Sequence, residues 1–414
     1  MDFNSFNLHP KIIAGIAAAG FMQPTPIQAQ AIPKIMQKRD LMGLAQTGTG
    51  KTAAFGLPIL HQLMQGQHNG VRALIIAPTR ELAEQIHTSL SLLGKTSGLR
   101  SMTIYGGVGI NHQIAKLKQG TDIVVACPGR LLDHIKQSTI DLRHLEVLVL
   151  DEADQMFDMG FLPDIRRIIN CLPSNRQTLL FSATMPQAIR HLAQEVLDNP
   201  ETVQVDHVAP ATTVSHTLYP VAQHQKTELL MNLLRQTDTE SVLVFTRTKH
   251  RAKQLGQKLD KSGHRAASLQ GNLSQSRRQA ALDGFRDGRY QILVATDIAA
   301  RGIDVSQVSH VINFDIPDTA EAYIHRIGRT GRASRSGDAF TMITEDDRAM
   351  VKTIERLLGA RIEQRRLAGF DYDLAEPEQP ASLAKRQAAW SGQQVNAQRH
   401  RTKPRRSGES RAGA

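Results

Sequence analysis

DLMGLAQTGTGKTAAFGLPILHQLM (residues 40–64) sets a short apolar run, a glycine-rich turn and a helical pattern in direct succession. Gly48 and Gly50 free the backbone to curl so that successive N–H groups point inward. The helix that follows adds the positive end of its dipole, so the unit is a cradle for phosphate. Lys51 is placed to reach the outer phosphates and Thr52 to offer an oxygen to Mg2+. A strand that feeds a helix in this way returns to a parallel neighbour, which makes a parallel α/β sheet the expected architecture.

The same alternation continues outward. Apolar, β-branched runs recur at ALIIAP (73–78), SMTIYGG (101–107), DIVVACP (122–128), VLVLDEAD (147–154) and TLLFSAT (178–184). A second set follows at SVLVFTRT (241–248), AASLQ (266–270), YQILVATD (290–297), HVINFDIP (310–317) and GDAFTMIT (337–344). Continuous apolar strands separated by helical patterns predict sheets covered by helices on both faces. HVAPATTVS (207–215) interrupts the series, so the chain reads as two tandem α/β domains, each a parallel sheet flanked by helices. The expected boundaries are 1–30 for an N-terminal region, 31–206, a linker at 207–215, 216–360, and a low-complexity basic tail at 361–414.

A formal charge of +11 and a pI near 9.8 favour a polyanionic partner. Residues 385–414 hold eight Lys/Arg against Glu409, so +7 of that charge sits on the tail, which reads as disordered and as a tether for nucleic acid. Cys127 and Cys171 are too few for a disulfide framework or a zinc site. IIAGIAAAGF (12–21) has the length of a signal-peptide core but lacks a basic lead, and Leu8, Ile12 and Ile16 repeat at helical spacing. With no apolar run long enough for a membrane span, the expectation is a cytoplasmic protein.

Two further stretches carry chemistry. In DEAD (151–154) a strand ends in carboxylates at the edge of the sheet where ligands bind. Asp151 suits a Mg2+ shell and Glu152 a water awaiting activation, the plainer alternative being acids that cap the next helix. In IHRIGRTGR (324–332), Arg326, Arg329 and Arg332 recur every third position, which on a helix forms one stripe of mutually repelling charge. Such a stripe calls for an anion.

QTGTGKT, DEAD and SAT (182–184), together with HRIGRTGR (325–332), resemble the DEAD-box RNA helicases, from Phe3 to about residue 355. The short architecture most resembles the bacterial RhlE group. The resemblance implies two RecA-like domains and an ATP-dependent RNA helicase that closes on ATP, Mg2+ and RNA. It would unwind short duplexes or remodel ribonucleoproteins with little sequence preference. GFMQPTPIQ (20–28) then matches the Q motif, with Phe3, Phe21 and Gln28 at the adenine, and Ala45, Gln46, Thr47, Gly48, Thr49, Gly50, Lys51 and Thr52 around the phosphates. Asp304 would face the ribose. Mg2+ would be held by Thr52 and Asp151, partly through water.

Lys51, Asp151, Glu152, Arg301, His325, Arg329 and Arg332 would serve catalysis, Arg301 by helping to organise the attacking water and the last two arginines as fingers on the γ-phosphate, while Arg326 would serve the motif's own ion pairs. Pro78, Thr79, Arg80, Gly107 and Arg130 in the first domain, and Arg247, Gly271, Gln275, Arg278 and Thr296 in the second, would hold RNA. Ser182 and Thr184 would couple the two sites. Cys127 stands where the family usually has Thr, which puts one RNA contact in doubt. Implied partners are single-stranded or short duplex RNA and ribosomal or decay-machinery proteins, with no membrane and a monomeric chain. The alternatives are a non-catalytic RNA-binding clamp or assembly factor, and a related DNA helicase or translocase.

Overall fold

The computed structural model describes residues 2–46, 48–66, 70–205, 214–300, 308–331 and 337–374. The first sheet contains β1 (Leu41–Leu44), β2 (Ala73–Ile76), β3 (Ser101–Ile104), β4 (Ile123–Ala126), β5 (Val147–Leu150), β6 (Gln177–Ser182) and β7 (Glu201–Gln204). These lie in the order β3-β4-β2-β5-β6-β1-β7, all parallel. The second contains β8 (Val214–Pro220), β9 (Val242–Phe245), β10 (Ala266–Leu269), β11 (Ile292–Ala295), β12 (His310–Asn313), β13 (Gly337–Ile343) and β14 (Glu363–Gln364). Their order is β10-β11-β9-β12-β13-β8-β14, again parallel.

Alternation within each strand builds the layers. Val147 and Val149 of β5 point into the core that holds Phe55 and Ile86, while Leu148 and Leu150 point into the one that holds Ile165 and Leu192. The second sheet repeats this, Val242 and Val244 facing one core and Leu243 and Phe245 the other. Each such side chain contributes about 1.5–3 kcal/mol on full burial, which is why central strands read as unbroken apolar runs.

Register brings the motifs to one edge. Leu44 pairs with Ser182, Ala45 N–H donates to Ser182 O at 3.0 Å, and Asp151 N–H donates to Ile76 O at 3.0 Å. The phosphate loop, the PTREL stretch (78–82), DEAD and SAT therefore all sit at the carboxyl ends of adjacent strands. The segment at 12–21 forms the helix Pro10–Ala18, with Ile12 and Ile16 buried. Among the described residues no helix is long and apolar enough to cross a membrane.

Four features depart from the sequence reading. β7 and β14 are edge strands whose polar composition hides them; Val203 is the one buried residue of β7. Val214 and Ser215 open β8, so the expected linker 207–215 gives way to a strand at its end, while 206–213 lie outside the described residues. Folding also does not stop at 360. Glu363–Gln364 pairs with β8, Leu367, Phe370 and Tyr372 pack on the core, and Gln225 Nε2 donates to Asp371 O at 2.8 Å. Of the expected tail, residues 375–414 lie outside the described residues. Finally, the arginines do not share a helix: Ala320–Ile327 ends at Gly328, leaving Arg326 helical and Arg329 in a following turn.

Candidate functional site

The phosphate loop is anchored from behind. The helix Lys51–Leu63 starts from Gly50, whose φ of +95° belongs to the left-handed region glycine tolerates. A Cβ on Gly50 would come within 2.4 Å of Gln28 Nε2. Gln28 is buried; its Oε1 accepts from Thr25 N–H at 3.0 Å and its Nε2 donates to Gly50 O at 3.1 Å. It is thus tied to the loop as well as lying in the expected base-binding region. Phe3 is buried against Phe6 and Phe21, and of the pair Phe3 and Phe21 it is Phe21 that keeps an exposed face. Lys51 is only 5% exposed, and its Nζ has no hydrogen-bond partner among the described residues; Asp151 Oδ1 lies 3.8 Å away.

The acidic turn is buried and strained. Burial, with the charges of Glu152 and Asp154 adding to it and Lys51 opposing, pushes the Asp151 carboxyl up to about 6. Glu152 caps the helix Ala153–Asp158 at φ +54°, a left-handed conformation that costs a non-glycine residue on the order of 1 kcal/mol. Asp154, which sequence reasoning passed over, ties this turn to SAT. Its Oδ2 accepts from Ala183 N–H (3.2 Å), Thr184 N–H (2.9 Å) and Thr184 Oγ1 (3.0 Å). Ser182 Oγ donates to Thr184 O and accepts from Asp154 N–H. The last letter of DEAD was visible; only its partners were not.

From the second sheet, His325 and Arg329 come up against this turn. Small gaps are lined jointly by Gln46, Glu152, Gln155, His325 and Arg329. Arg326, by contrast, turns inward, 2% exposed: it pairs bidentately with Asp297 at 2.6 Å per bond, donates to Asn313 Oδ1 and Asp315 O, and stacks on Phe245 at 4.9 Å. Gln155 and Asp297 were not singled out from sequence, although Gln155 directly follows DEAD and Asp297 directly follows Thr296; the Arg326 partner of Asp297 is distant in the chain. Thr47, Arg301, Asp304 and Arg332 lie outside the described residues.

A second group of polar loops lies along the same edges. Gly107 has φ +84°, and a Cβ there would meet Arg80 Nη1 at 2.2 Å. Arg130 Nη1 donates to Val108 O at 3.0 Å, so Arg80 and Arg130 both converge on Gly106–Gly107. Pro78 precedes Thr79, which caps the helix Arg80–Leu93 through Leu82 N–H. Cys127 makes no side-chain cap, and burial drives its thiol up to about 12, so it stays neutral.

In the second domain Arg247 N–H donates to Asp315 Oδ2 at 2.9 Å, while its guanidinium is half-exposed. Thr296 caps the short helix Asp297–Ala300, and Gly271 has open space about it. Gln275 and Arg278 are engaged across the domains: Arg278 Nε pairs with Glu81 Oε1 at 2.7 Å, and Gln275 meets Arg80 and Glu81 at 3.4 and 3.5 Å. Glu81 is another partner that the sequence alone did not reveal.

Residues 25–192 match the DEAD/DEAH box helicase family and residues 225–334 the helicase conserved C-terminal domain. The chain is 44% identical to the ATP-dependent RNA helicase CshA of Listeria monocytogenes, over 90% of its own length and 72% of the relative's. It is 42% identical to the DEAD-box ATP-dependent RNA helicase CshA of Geobacillus kaustophilus, over 92% and 82%. Among solved structures, S. cerevisiae Dbp5 bound to RNA and ADP BeF3 superposes with a TM-score of 0.76 at 32% identity, covering 88% of this chain and 95% of that one. A DEAD box protein from Methanococcus jannaschii gives 0.52 at 36% identity, covering 88% and 99%.

Proposed function

The chain belongs to the DEAD-box ATP-dependent RNA helicases, and from that premise we propose that it splits ATP only while its two domains are closed on each other, gripping RNA across the same seam. It is an ATPase and an RNA helicase. The observation that carries the closure reading is the shared lining of one gap by Gln46 and Glu152 from the first domain and His325 and Arg329 from the second.

In this reading Lys51 and the loop N–H groups hold the β- and γ-phosphates; a buried ammonium with no hydrogen-bond partner awaits an anion. Gln28 keeps a second amide hydrogen and a second lone pair for the adenine edge, beside the Phe3–Phe21 pair. Thr52 and Asp151 are oxygen donors suited to Mg2+, which would neutralise charge on the β- and γ-phosphates.

Glu152, aided by His325, would orient a water for in-line attack. Its oxygen bonds the γ-phosphorus as the bond to the bridging oxygen breaks, giving ADP and phosphate. Arg329, with Arg332 and Arg301, would stabilise the charge that spreads over the γ-oxygens, and Asp304 would hold the ribose. Arg80, Gly107, Arg130, Arg247, Gly271 and Thr296 would follow the sugar-phosphate track, which carries little sequence information. Gln275 and Arg278 would serve that track by fastening the seam to Arg80 and Glu81. Asp154 would pass a change at the nucleotide to Ser182 and Thr184. Within the family, the short architecture favours kinship with the RhlE group, while both bacterial relatives named above are CshA proteins.

Phosphate release with saturating Mg-ATP tests the reading. RNA should stimulate it strongly and DNA of the same sequence weakly; no stimulation by RNA would replace turnover with a passive clamp. Glu152→Gln should keep ATP binding and prolong RNA retention, and normal turnover in that variant would remove Glu152 from its role.

A further inference from the structure

The helix Ile110–Lys118 buries a single side chain, and that side chain is polar: Gln113, 4% exposed. An apolar residue there would be the cheaper choice, since a buried amide is tolerated only when its hydrogen bonds are made. Gln113 makes three. Its Nε2 donates to Tyr105 O at 3.0 Å, the last carbonyl before Gly106–Gly107. Its Oε1 accepts from Arg130 Nη1 at 3.2 Å and faces His134 Nε2 at 3.0 Å.

His134 is fully buried, and its Nδ1 meets Thr139 Oγ1 at 2.8 Å. Burial first, then the Arg130 charge, lower its pKa, so the ring is neutral and carries its proton on Nε2, toward the Gln113 oxygen. One amide thus fixes both the strand end that launches the glycine loop and the guanidinium that closes over it.

We propose that Gln113, braced by His134, is a positioning residue for RNA: it sets the spacing between the Gly106–Gly107 loop and Arg130 so that both can engage consecutive phosphates. The inference rests on the reading of Gly107 and Arg130 as RNA contacts. Without Gln113, Arg130 keeps only Val108 O and the longer Asp133 contact, at 3.4 Å, to hold it. Its guanidinium then sweeps a wider volume, and RNA must pay the entropy of ordering it.

The test uses the full chain and a single-stranded oligoribonucleotide, with Gln113→Met, near in volume and without polar donors, beside Gln113→Glu and Arg130→Ala. Gln113→Met should raise the KM for RNA in ATP hydrolysis about tenfold, the loss of one charge-assisted hydrogen bond's worth of ordering. kcat at saturating RNA and the affinity for ATP should stay within about twofold, while the melting temperature falls modestly because His134 Nε2 and the Tyr105 carbonyl lose a buried partner. Gln113→Glu, which keeps the acceptor for Arg130 but cannot donate to Tyr105 O, should recover only part of the RNA affinity.

A merely structural glutamine would instead disturb ATP and RNA binding together, which would overturn the proposal. If Arg130→Ala weakens RNA binding while Gln113→Met leaves it unchanged, the positioning role fails and the contact reading survives. If Arg130→Ala itself leaves RNA binding unchanged, the contact reading fails and the positioning role falls with it.

Discussion

Lys51 and Arg326 are both cations buried at the carboxyl edges of their sheets, yet their surroundings differ in kind. Arg326 spends its donors on Asp297, Asn313 and the Asp315 carbonyl and lies on Phe245. Lys51 Nζ has no hydrogen-bond partner among the described residues, with Asp151 at 3.8 Å and that carboxyl itself raised by burial. A buried charge whose bonds are complete works as a bolt. One left incomplete is a standing cost, retained because something else completes it. The motif residues sort by this criterion better than by charge or burial.

The comparison can be broken most sharply three residues away. Arg329→Ala should cut RNA-stimulated ATP hydrolysis by about 10³–10⁵-fold, the usual worth of a finger. Arg326→Ala should show first in stability. Removing one partner of a buried pair costs about 3–5 kcal/mol, so urea unfolding of the second domain should move to lower concentration before any kinetic effect is interpreted. If Arg326→Ala unfolded at the parent's urea concentration, its reading as a bolt would be wrong.

Lys51→Met sharpens the other side. ATP hydrolysis should fall by about 10²–10³-fold, as when one electrostatic stabiliser is lost. The ligand-free protein should nonetheless melt no lower than the parent, because an incompletely bonded ammonium has been replaced by an apolar chain. A large drop in stability would show Lys51 to be a bolt after all.

Asp151→Asn gives the smallest effect and a sign. A carboxyl raised from 3.8 to about 6 on folding makes the native state bind more protons than the unfolded chain between those pH values. Its contribution therefore becomes more favourable as pH falls through about 6 and is least favourable above it. Without ligand, Asp151→Asn should be the more stable protein at pH 7–8 by on the order of 1–3 kcal/mol, and the advantage should shrink toward pH 4. Thermal melts across that range read it directly. An advantage that grows on acidification would reverse the assignment.

Much of this was legible from the chain. Buried central strands read plainly because apolar sides face both layers, and the glycines of the phosphate loop announced its turn. Arg326 read as a residue of the motif's own ion pairs, and its pair with Asp297 agrees; the single stripe failed because Gly328 ends the helix and sends Arg326 and Arg329 in different directions. Gln28 read as a base contact and proved also to brace Gly50. Gln113, Glu81 and Asp297 stayed hidden because their partners are distant in sequence, and no local pattern reports a long-range hydrogen bond. β7 and β14 were missed because an edge strand buries one side or less.

β14 pairs only Glu363 and Gln364 with the seven-residue β8. Brief and polar, it leaves the outermost strand of the second sheet a poor template for a foreign chain to extend. At that edge an incoming chain finds only two polar residues of backbone to zip onto. Cutting the chain before Glu363 would lay the backbone of β8 bare, and self-association in place of lost turnover would be the first symptom.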